Sequence, residues 1–260
     1  YRAKSLDKAG EDLGTEYIID LLKKFELSVK QQKALSNYCT DRGILYMCTP
    51  WDGKSVNVLE SFSVPAYKVA SADLTNLPLL DKLSKTKKPL ILSTGMSTSD
   101  EIQISADFLN KRKVDFVFLH CNSTYPAPTH DINLSWINKL REIHPLVGYS
   151  GHERGITVTL AAVAMGAKVI ERHFTLDRMM EGPDHAASLE FDEFSSLIKG
   201  IREIEEALGR GDSKERSLSQ GEMINRENLG KSLVASRPLR KGEILKSEDI
   251  KVRSPGQGLS

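Results

Sequence analysis

The sequence predicts an α/β fold built from parallel βαβ units. Short apolar runs, rich in β-branched and aromatic residues, alternate with helix-like segments at roughly 20 to 30 residues per unit. Polar residues follow each apolar run, at the position where a scaffold holds loops that carry chemistry. The 260 residues suffice for one large domain with a full core, or for one domain and a small second one.

Six apolar runs are predicted to be strands, and helices are predicted between them. The strands are expected at residues 44–50, 66–71, 89–94, 114–123, 145–150 and 167–175. The helices are expected at residues 56–62, 77–85, 98–111, 134–143 and 155–167. Ser99, with Asp100 and Glu101, is typical of a helix N-terminus, and Gly166 is typical of a helix end.

Six units are compatible with an open doubly wound sheet or with an eight-stranded barrel that lacks two strands. In an open sheet only some strand ends need be functional, whereas in a barrel all of them meet at one mouth. Polar residues follow every predicted strand, and no G-x-G-x-x-G or Walker-type loop is present. We therefore expect a TIM-type (β/α)8 barrel, with six βα units in a chain that is truncated at its N-terminus.

The overall charge argues against several classes of partner. The chain has 36 Lys and Arg and 35 Asp and Glu, a net charge of +1, so no overall field favours nucleic acid or an anionic membrane. No apolar run approaches the ~18 residues of a membrane span, and no signal peptide is visible. The three cysteines suit a reducing compartment better than a disulfide framework. We expect a cytoplasmic protein.

Two histidines lie at the ends of neighbouring predicted strands. His152 follows the run at 145–150, and His173 lies near the end of the run at 167–175. In a barrel both imidazoles would point into one mouth, and two neutral imidazoles are good ligands for a divalent cation. The pattern alone leaves open that His152 is a surface loop residue and that His173 is hydrogen-bonded at the rim. His130 is expected in a solvated loop.

Six segments together resemble a known family. They are KVASADLTNLPLL, LSTGMSTSDEI, HCNSTYPAP, GYSGHERG, VIERHFTLDR and EGPDHAASLE. In this order and spacing they resemble the sialic acid synthases, which include N-acetylneuraminate synthase and its legionaminate, pseudaminate and spore-coat polysaccharide relatives. The segment from Asn225 to Gly258 is similar to the start of the family's antifreeze-like (SAF) domain. The resemblance implies a barrel over residues 1–208, a linker over 209–228 and a partial SAF domain over 229–260.

The resemblance implies condensation of phosphoenolpyruvate with an open-chain N-acetylmannosamine-type aldehyde, which gives a nine-carbon sialic acid and phosphate. It implies that His152 and His173 hold a divalent metal, Mn2+ or else Mg2+, which polarises the aldehyde as a Lewis acid. Lys68 matches a family lysine that holds phosphoenolpyruvate. Hydroxyl groups are expected to complete this polar cradle: Ser71, Ser93, Thr94, Ser123, Tyr125 and Ser150.

Two carboxylates are the candidate catalytic groups. Asp73 lies where relatives carry Glu or Asp, and Asp184 lies in a stretch common to the family. Each could handle a proton or orient a sugar hydroxyl or the attacking water, and the sequence does not assign acid and base. Glu171 is expected to support the histidines rather than to catalyse.

The family resemblance also implies a domain-swapped homodimer. The C-terminal domain of one subunit covers the partner's barrel and supplies an arginine to the sugar, and Arg253, in a tight exposed loop, is the candidate here. Two motifs that the family carries on its first two strands are not found in this chain. The alternatives are a metal-dependent aldolase or lyase on the same barrel, and a catalytically incompetent fragment or binding module.

Overall fold

The structure is a computed structural model that describes residues 23–182, 184–209 and 215–259. The chain divides into two compact units, with the boundary between Leu208 and Gly209. Each unit is described by itself, and the predicted linker falls partly outside the described residues.

The first unit contains one sheet of five parallel strands in chain order. They are β1 (Tyr67–Val69), β2 (Leu90–Ser93), β3 (Phe116–Cys121), β4 (Val147–Gly151) and β5 (Ile170–Arg172). Each strand pairs with the next, so the carboxyl ends of all five strands lie along one rim of a curled half-barrel. Four of them lie inside predicted strand runs, and β4 extends one residue beyond the run at 145–150.

Helices lie before, between and after the strands, and parallel pairing requires long connections such as those between them. They are α1 (Val29–Asp41), α2 (Gly53–Glu60), α3 (Leu77–Lys85), α4 (Ser99–Arg112), α5 (Trp136–Ile143), α6 (Thr157–Ala164) and α7 (Phe191–Leu208). Helix α4 begins one residue later than its N-cap Thr98, which forms a reciprocal capping box with Glu101. The expected N-cap, Ser99, is therefore the first helical residue.

The hydrophobic core lies between the sheet and the helices. Tyr67 of β1, Phe118 of β3 and Tyr149 of β4 are among the largest fully buried side chains. They pack with Leu80 of α3 and Ile137 of α5 in one continuous apolar cluster. Neighbouring residues on a strand face opposite sides of the sheet. The strand residues next to Tyr67, Phe118 and Tyr149 therefore point to the inner face of the half-barrel.

The run at residues 44–50 does not form a strand, so five of the six predicted strands form in the described residues of the first unit. Its β-prone composition favours an extended chain, but a strand also needs ladder hydrogen bonds to a neighbour. The ladder bonds of β1 all go to β2. Ile44 and Leu45 are 63% and 75% exposed, whereas Tyr46 and Cys48 pack against the core cluster in a segment without strand pairing.

The second unit is a small α+β element. Helix α8 (Gln220–Leu229) precedes β6 (Ser232–Ala235) and β7 (Ile250–Arg253), which pair antiparallel. The buried Asp249 accepts hydrogen bonds from the Arg237 side chain and from Lys246 N, and so fixes the turn that enters β7.

None of the helices in the described residues combines the length and the apolar composition that a membrane crossing requires.

Candidate active site

A cavity of about 580 Å³ opens at the carboxyl ends of the five parallel strands. This is the end at which barrels and half-barrels of parallel strands carry their sites. Every strand contributes to its wall. The polar residues that line it are Thr49, Lys68, Ser71, Ser93, Cys121, Ser123, Tyr125, Ser150, His152, Glu171, Arg172, His173 and Asp184.

The two predicted histidines lie side by side in this cavity. His152 directly follows β4 and His173 directly follows β5, and their ring centroids are 5.2 Å apart. Tyr125 packs on both rings, at 4.1 Å from the His152 centroid and 5.5 Å from the His173 centroid. His152 is only 5% exposed, so it is not a surface loop residue.

The hydrogen bonds of His152 leave one ring nitrogen available. Its Nδ1 lies 2.6 Å from the carbonyl oxygen of Asn122, a contact in which Nδ1 must donate. Nε2 is therefore free to act as a ligand. Burial by itself lowers the pKa of His152, but the hydrogen bonds to Cys121 and Asn122 outweigh it and raise the pKa above its usual value.

The residues present fit a metal held by two imidazoles. Burial lowers the pKa of His173, against the opposing effect of Asp184, whose Oδ2 lies 3.8 Å from His173 Nδ1. A lowered pKa favours the neutral ring that metal binding needs, whereas the raised pKa of His152 favours a protonated ring, which must lose its proton before a metal binds. In the described residues no group of three or more His, Cys, Asp and Glu side chains is arranged to hold a metal. The imidazole pair is thus the candidate.

A candidate anion-binding region lies on the inner faces of β1, β2, β4 and β5. Lys68 is buried, donates to Val69 O at 2.9 Å, and has its Nζ 3.5 Å from Glu171 Oε2. Ser150 donates to the same carboxylate oxygen at 2.6 Å, and Ser93 lies 3.5 Å from it. In the described part of the chain the hydrogen bonds of Glu171 thus go to serines and not, as expected, to the histidines.

A second group of polar side chains closes around Gly95. An added Cβ at Gly95 would lie 2.2 Å from Ser123 Oγ and 2.8 Å from Ser71 Oγ. Ser71 Oγ in turn donates to Cys121 Sγ at 3.6 Å. The turn after β2 therefore needs glycine in order to let the serines of two other strands approach its backbone.

Two of the predicted site residues in the first unit do not line the cavity. Thr94 is buried and donates to Leu119 O at 3.0 Å, so its hydroxyl joins β2 to β3. Asp73 is buried beyond Ser71, where it accepts from Asn76 at 2.8 Å, and within the described residues its Oδ2 has no partner. Thr94 directly follows β2 and Asp73 ends the short 3-10 turn Ser71–Asp73 after β1, and the local backbone directs both side chains away from the mouth.

Asp184 and Arg253 are placed by different units. Asp184 lines the cavity, with its side chain 55% exposed. Burial, followed by the nearby acidic groups, raises the pKa of Tyr125 to about 12, so this phenol keeps its proton.

Arg253 is the exposed last residue of β7 in the second unit, opposite Ser232, and not a loop residue as expected.

The sequence prediction missed Arg172 and Cys121, and it gave Glu171 a different place. Glu171 lies two residues before His173, so strand alternation puts both side chains on the inner face. The signal for Arg172 was a charge inside an apolar strand run, since buried charges are normally paired. Cys121 lies at the end of the strongly apolar β3 and carried no signal of its own.

Comparison with known proteins identifies the family. Residues 2–213 match the NeuB family, and residues 230–260 match the SAF domain. N,N'-diacetyllegionaminic acid synthase of Campylobacter jejuni is 41% identical, over 93% of this chain and 73% of that protein. An uncharacterised protein of Methanocaldococcus jannaschii is 43% identical, over 92% of this chain and 71% of that protein.

The structural comparison agrees with this assignment. The N-acetylneuraminic acid (sialic acid) synthetase of Leptospira borgpetersenii, solved in complex with citrate, superposes with a TM-score of 0.76 at 34% identity. The match covers 82% of this chain and 75% of that chain. The family match, the relatives at this identity and the cavity at the strand ends all agree. The chain therefore belongs to the NeuB family of synthases and carries a SAF domain after its catalytic unit.

Proposed function

We propose that the protein condenses phosphoenolpyruvate with an open-chain N-acetylmannosamine-type aldehyde, and so forms a nine-carbon sialic acid and phosphate. The observation that carries this proposal is one cavity with a lysine and serine hydroxyls on its strands and two adjacent imidazoles at its rim. The names of the relatives, a legionaminic acid synthase and a sialic acid synthetase, support a product of this class.

Lys68 and the serines would hold phosphoenolpyruvate. The ammonium group is a compact charge on the inner face, and Ser71, Ser93 and Ser150 surround the same region. Glu171 balances Lys68 at 3.5 Å and orders Ser150. The Glu171 carboxylate also repels anions, so fewer anionic groups of the ligand can approach Lys68 at once. This favours one orientation of the ligand.

His152 and His173 would hold the divalent metal, with Mn2+ preferred over Mg2+ because imidazole suits it better. When bound, the metal supplies Lewis-acid polarisation of the aldehyde oxygen. Asn122 O keeps Nδ1 of His152 as the donor, and Tyr125 fixes both rings by packing. These residues thereby hold the histidines ready for ligation.

The carbon chemistry then needs a positioned aldehyde and one water. A bond forms between the enol carbon of phosphoenolpyruvate and the aldehyde carbon, while the carbonyl π electrons move to the aldehyde oxygen, which takes a proton. Water adds at the resulting electrophilic carbon and loses a proton, and phosphate then leaves from that carbon as the new hydroxyl loses its proton and becomes the 2-keto group. Asp184 lies at the open side of the cavity, where it can orient sugar hydroxyls or accept the proton of the attacking water. The proposed catalytic role of Asp73 depends on the sequence alone.

The test is phosphate release in the presence of phosphoenolpyruvate, with and without N-acetylmannosamine. We expect release only when the sugar is present, together with a nine-carbon 2-keto acid. A lyase that used a Schiff base would instead lose activity on borohydride reduction and would release no phosphate. No release under any condition, with both ligands binding, would identify a binding module. Lys68 next to Glu171 is poorly suited to a Schiff base, which needs a neutral amine.

The sugar preference is the finest part of the proposal. The segment DLTNLPLL after Ser71 is more similar to that of neuraminate and legionaminate synthases than to that of pseudaminate synthases. We propose that N-acetylmannosamine or its 2,4-diacetamido relative is preferred over the pseudaminate precursor. Competition between the three sugars in one reaction measures this directly, and faster use of the pseudaminate precursor would contradict it.

A further inference from the structure

A buried ion pair lies directly behind the two histidines. Glu153 Oε1 and Arg172 Nη1 are 2.9 Å apart, and their side chains are only 2% and 0% exposed. Glu153 is the residue after His152, and Arg172 is the residue before His173. The ion pair therefore joins the two chain segments that carry the imidazoles.

The guanidinium group of Arg172 also binds the backbone of the loop that follows His152. Nη2 donates to Glu153 O at 2.5 Å, and Nη1 donates to Gly155 O at 2.8 Å. Nη1 further approaches Thr159 Oγ1 of helix α6 at 2.7 Å. One side chain from β5 thus holds the start, the middle and the end of the connection from β4 to α6.

Glu153 receives hydrogen bonds from two further elements. Tyr149 of β4 donates to Oε2 at 2.8 Å, and Thr159 donates to Oε1 at 2.9 Å. Burial and the Glu153 carboxylate raise the pKa of Tyr149, so its phenol remains a donor. Both carboxylate oxygens therefore have partners whose positions are fixed by secondary structure.

The backbone leaves room for this network at one position. Gly151 lies between Tyr149 and Glu153 in the chain, opposite Arg172 in the strand register. A Cβ at Gly151 would lie 2.6 Å from Glu153 Oε2 and 2.7 Å from a ring carbon of Tyr149. Any other residue there would displace the carboxylate from the phenol.

Stability alone does not account for the network. A buried ion pair seldom stabilises a fold more than apolar residues of the same volume, because desolvation of the two charges offsets their attraction. What the network does provide is a fixed distance between two strand ends. Partners behind metal ligands commonly orient them, and their loss typically weakens metal binding by about 10- to 100-fold.

We propose that Tyr149, Glu153 and Arg172 are positioning residues that set the separation and orientation of the His152 and His173 rings. The inference extends the proposed function, since the purpose of the ring separation is the divalent metal site proposed above. None of the three side chains needs to touch substrate for this role.

The experiment uses two variants of the protein and one matched control. Tyr149→Phe removes a single hydrogen bond to Glu153, and Glu153→Gln removes the charge with little change of volume. Tyr67→Phe is the matched control. Tyr67 of β1 is also a fully buried tyrosine on the helix side of the sheet, and its hydroxyl also donates to a glutamate, Glu60 Oε1, at 2.6 Å. The measurements are crystal structures without metal, the Mn2+ dissociation constant without substrates, and the melting temperature.

We expect the ring centroids in Tyr149→Phe to move from their 5.2 Å separation and the Mn2+ dissociation constant to rise about 10-fold. Tyr67→Phe should lower the melting temperature about as much as Tyr149→Phe does. It should leave the ring separation and the Mn2+ dissociation constant unchanged. Tyr149→Phe remains decisive if Glu153→Gln, which leaves Arg172 unpaired, does not fold.

The outcomes separate this inference from the proposed function. Unmoved rings in Tyr149→Phe overturn it, whatever happens to the metal affinity or to the melting temperature. Moved rings with unchanged Mn2+ affinity also overturn it, because the separation would then not serve metal binding. If the wild-type protein binds no Mn2+ while the rings move in the variant, the metal part of the proposed function fails and the positioning role remains.

Discussion

His152 shows how a single residue after a strand becomes part of a site. The glycine before it and the charged residue after it suggest an exposed loop, yet the ring is buried between Tyr125 and His173. Its Nδ1 is held by Asn122 O, and its own carbonyl accepts from Ala127 N at 3.0 Å. Backbone groups of the neighbouring loop therefore fix the ring in the cavity.

The His152→Ala variant is the first test of the metal site. We expect turnover to fall at least ~100-fold, because a lost Lewis acid contributes several kcal/mol at the transition state and each ~1.4 kcal/mol is tenfold. Mn2+ binding should fall with it. His130→Ala is the control, since its side chain is 83% exposed. A His152 variant with normal turnover and metal content would contradict the assignment.

Lys68→Met tests the anion-binding region. The substitution keeps the length of the side chain and removes the charge beside Glu171. Hydrogen bonds to charged groups contribute about 1.5–3 kcal/mol, so the KM for phosphoenolpyruvate should rise roughly 10- to 100-fold. The KM for the sugar should change much less. Lys85→Met, at a 74% exposed side chain, is the matched control in steady-state kinetics; equal rises in both KM values would remove Lys68 from this role.

At the scale of elements, the sequence pattern predicted the five strands of the first unit, whereas β6 and β7 of the second unit lie outside every predicted run. The runs at 66–71 and 89–94 contain β1 and β2, and helix α3 has the predicted limits Leu77–Lys85. These elements have strong local signals, namely apolar runs of strand length and a helix with Asn76 as N-cap. The run at 44–50 has the same local signal and no strand, because pairing depends on a neighbour that local sequence does not specify.

The site could be predicted as far as strand ends define it. His152 and His173 directly follow a strand, Lys68 and Ser150 lie in the strands β1 and β4 next to their last residues, and the structure brings all four into one cavity. Which way a side chain turns after a strand depends on the turn that follows, and this is why Thr94 was misplaced. The Glu153–Arg172 pair depends on the register between β4 and β5, where Gly151 lies opposite Arg172, and register is a tertiary property.

Gly95→Ala tests the turn between β2 and α4. A methyl group at this position would lie 2.2 Å from Ser123 Oγ, so the β2 turn and the serine cannot both keep their places. We expect a lower affinity for phosphoenolpyruvate in calorimetric titration, by about 10-fold for a lost pair of hydroxyl contacts. The control is Gly221→Ala in α8, where a Cβ meets nothing within 4 Å and alanine favours the helix. Unchanged affinity in Gly95→Ala would show that this turn does not order the serines.

At the scale of the whole molecule, the proposed chemistry requires a removable metal. Dialysis against a chelator should abolish phosphate release, and Mn2+ should restore it more fully than Mg2+. The His173→Ala protein should gain nothing from added Mn2+, which separates a bound cofactor from a general salt effect. Full activity in protein shown to be free of metal by elemental analysis would rule out the metal proposal.

The homodimer that the family resemblance implies would give the second unit a role in sugar binding. Arg253 ends β7 with an exposed side chain, and the family resemblance implies that such an arginine reaches the sugar in the partner subunit. Arg253→Ala should therefore raise the sugar KM about 10- to 100-fold, the loss of one charged hydrogen bond, and leave the phosphoenolpyruvate KM nearly unchanged. Arg240→Ala, another exposed arginine of the same unit, is the control. Equal effects of Arg253→Ala on both KM values, or a monomer in sedimentation that is fully active, would show that Arg253 does not bind the sugar across a dimer.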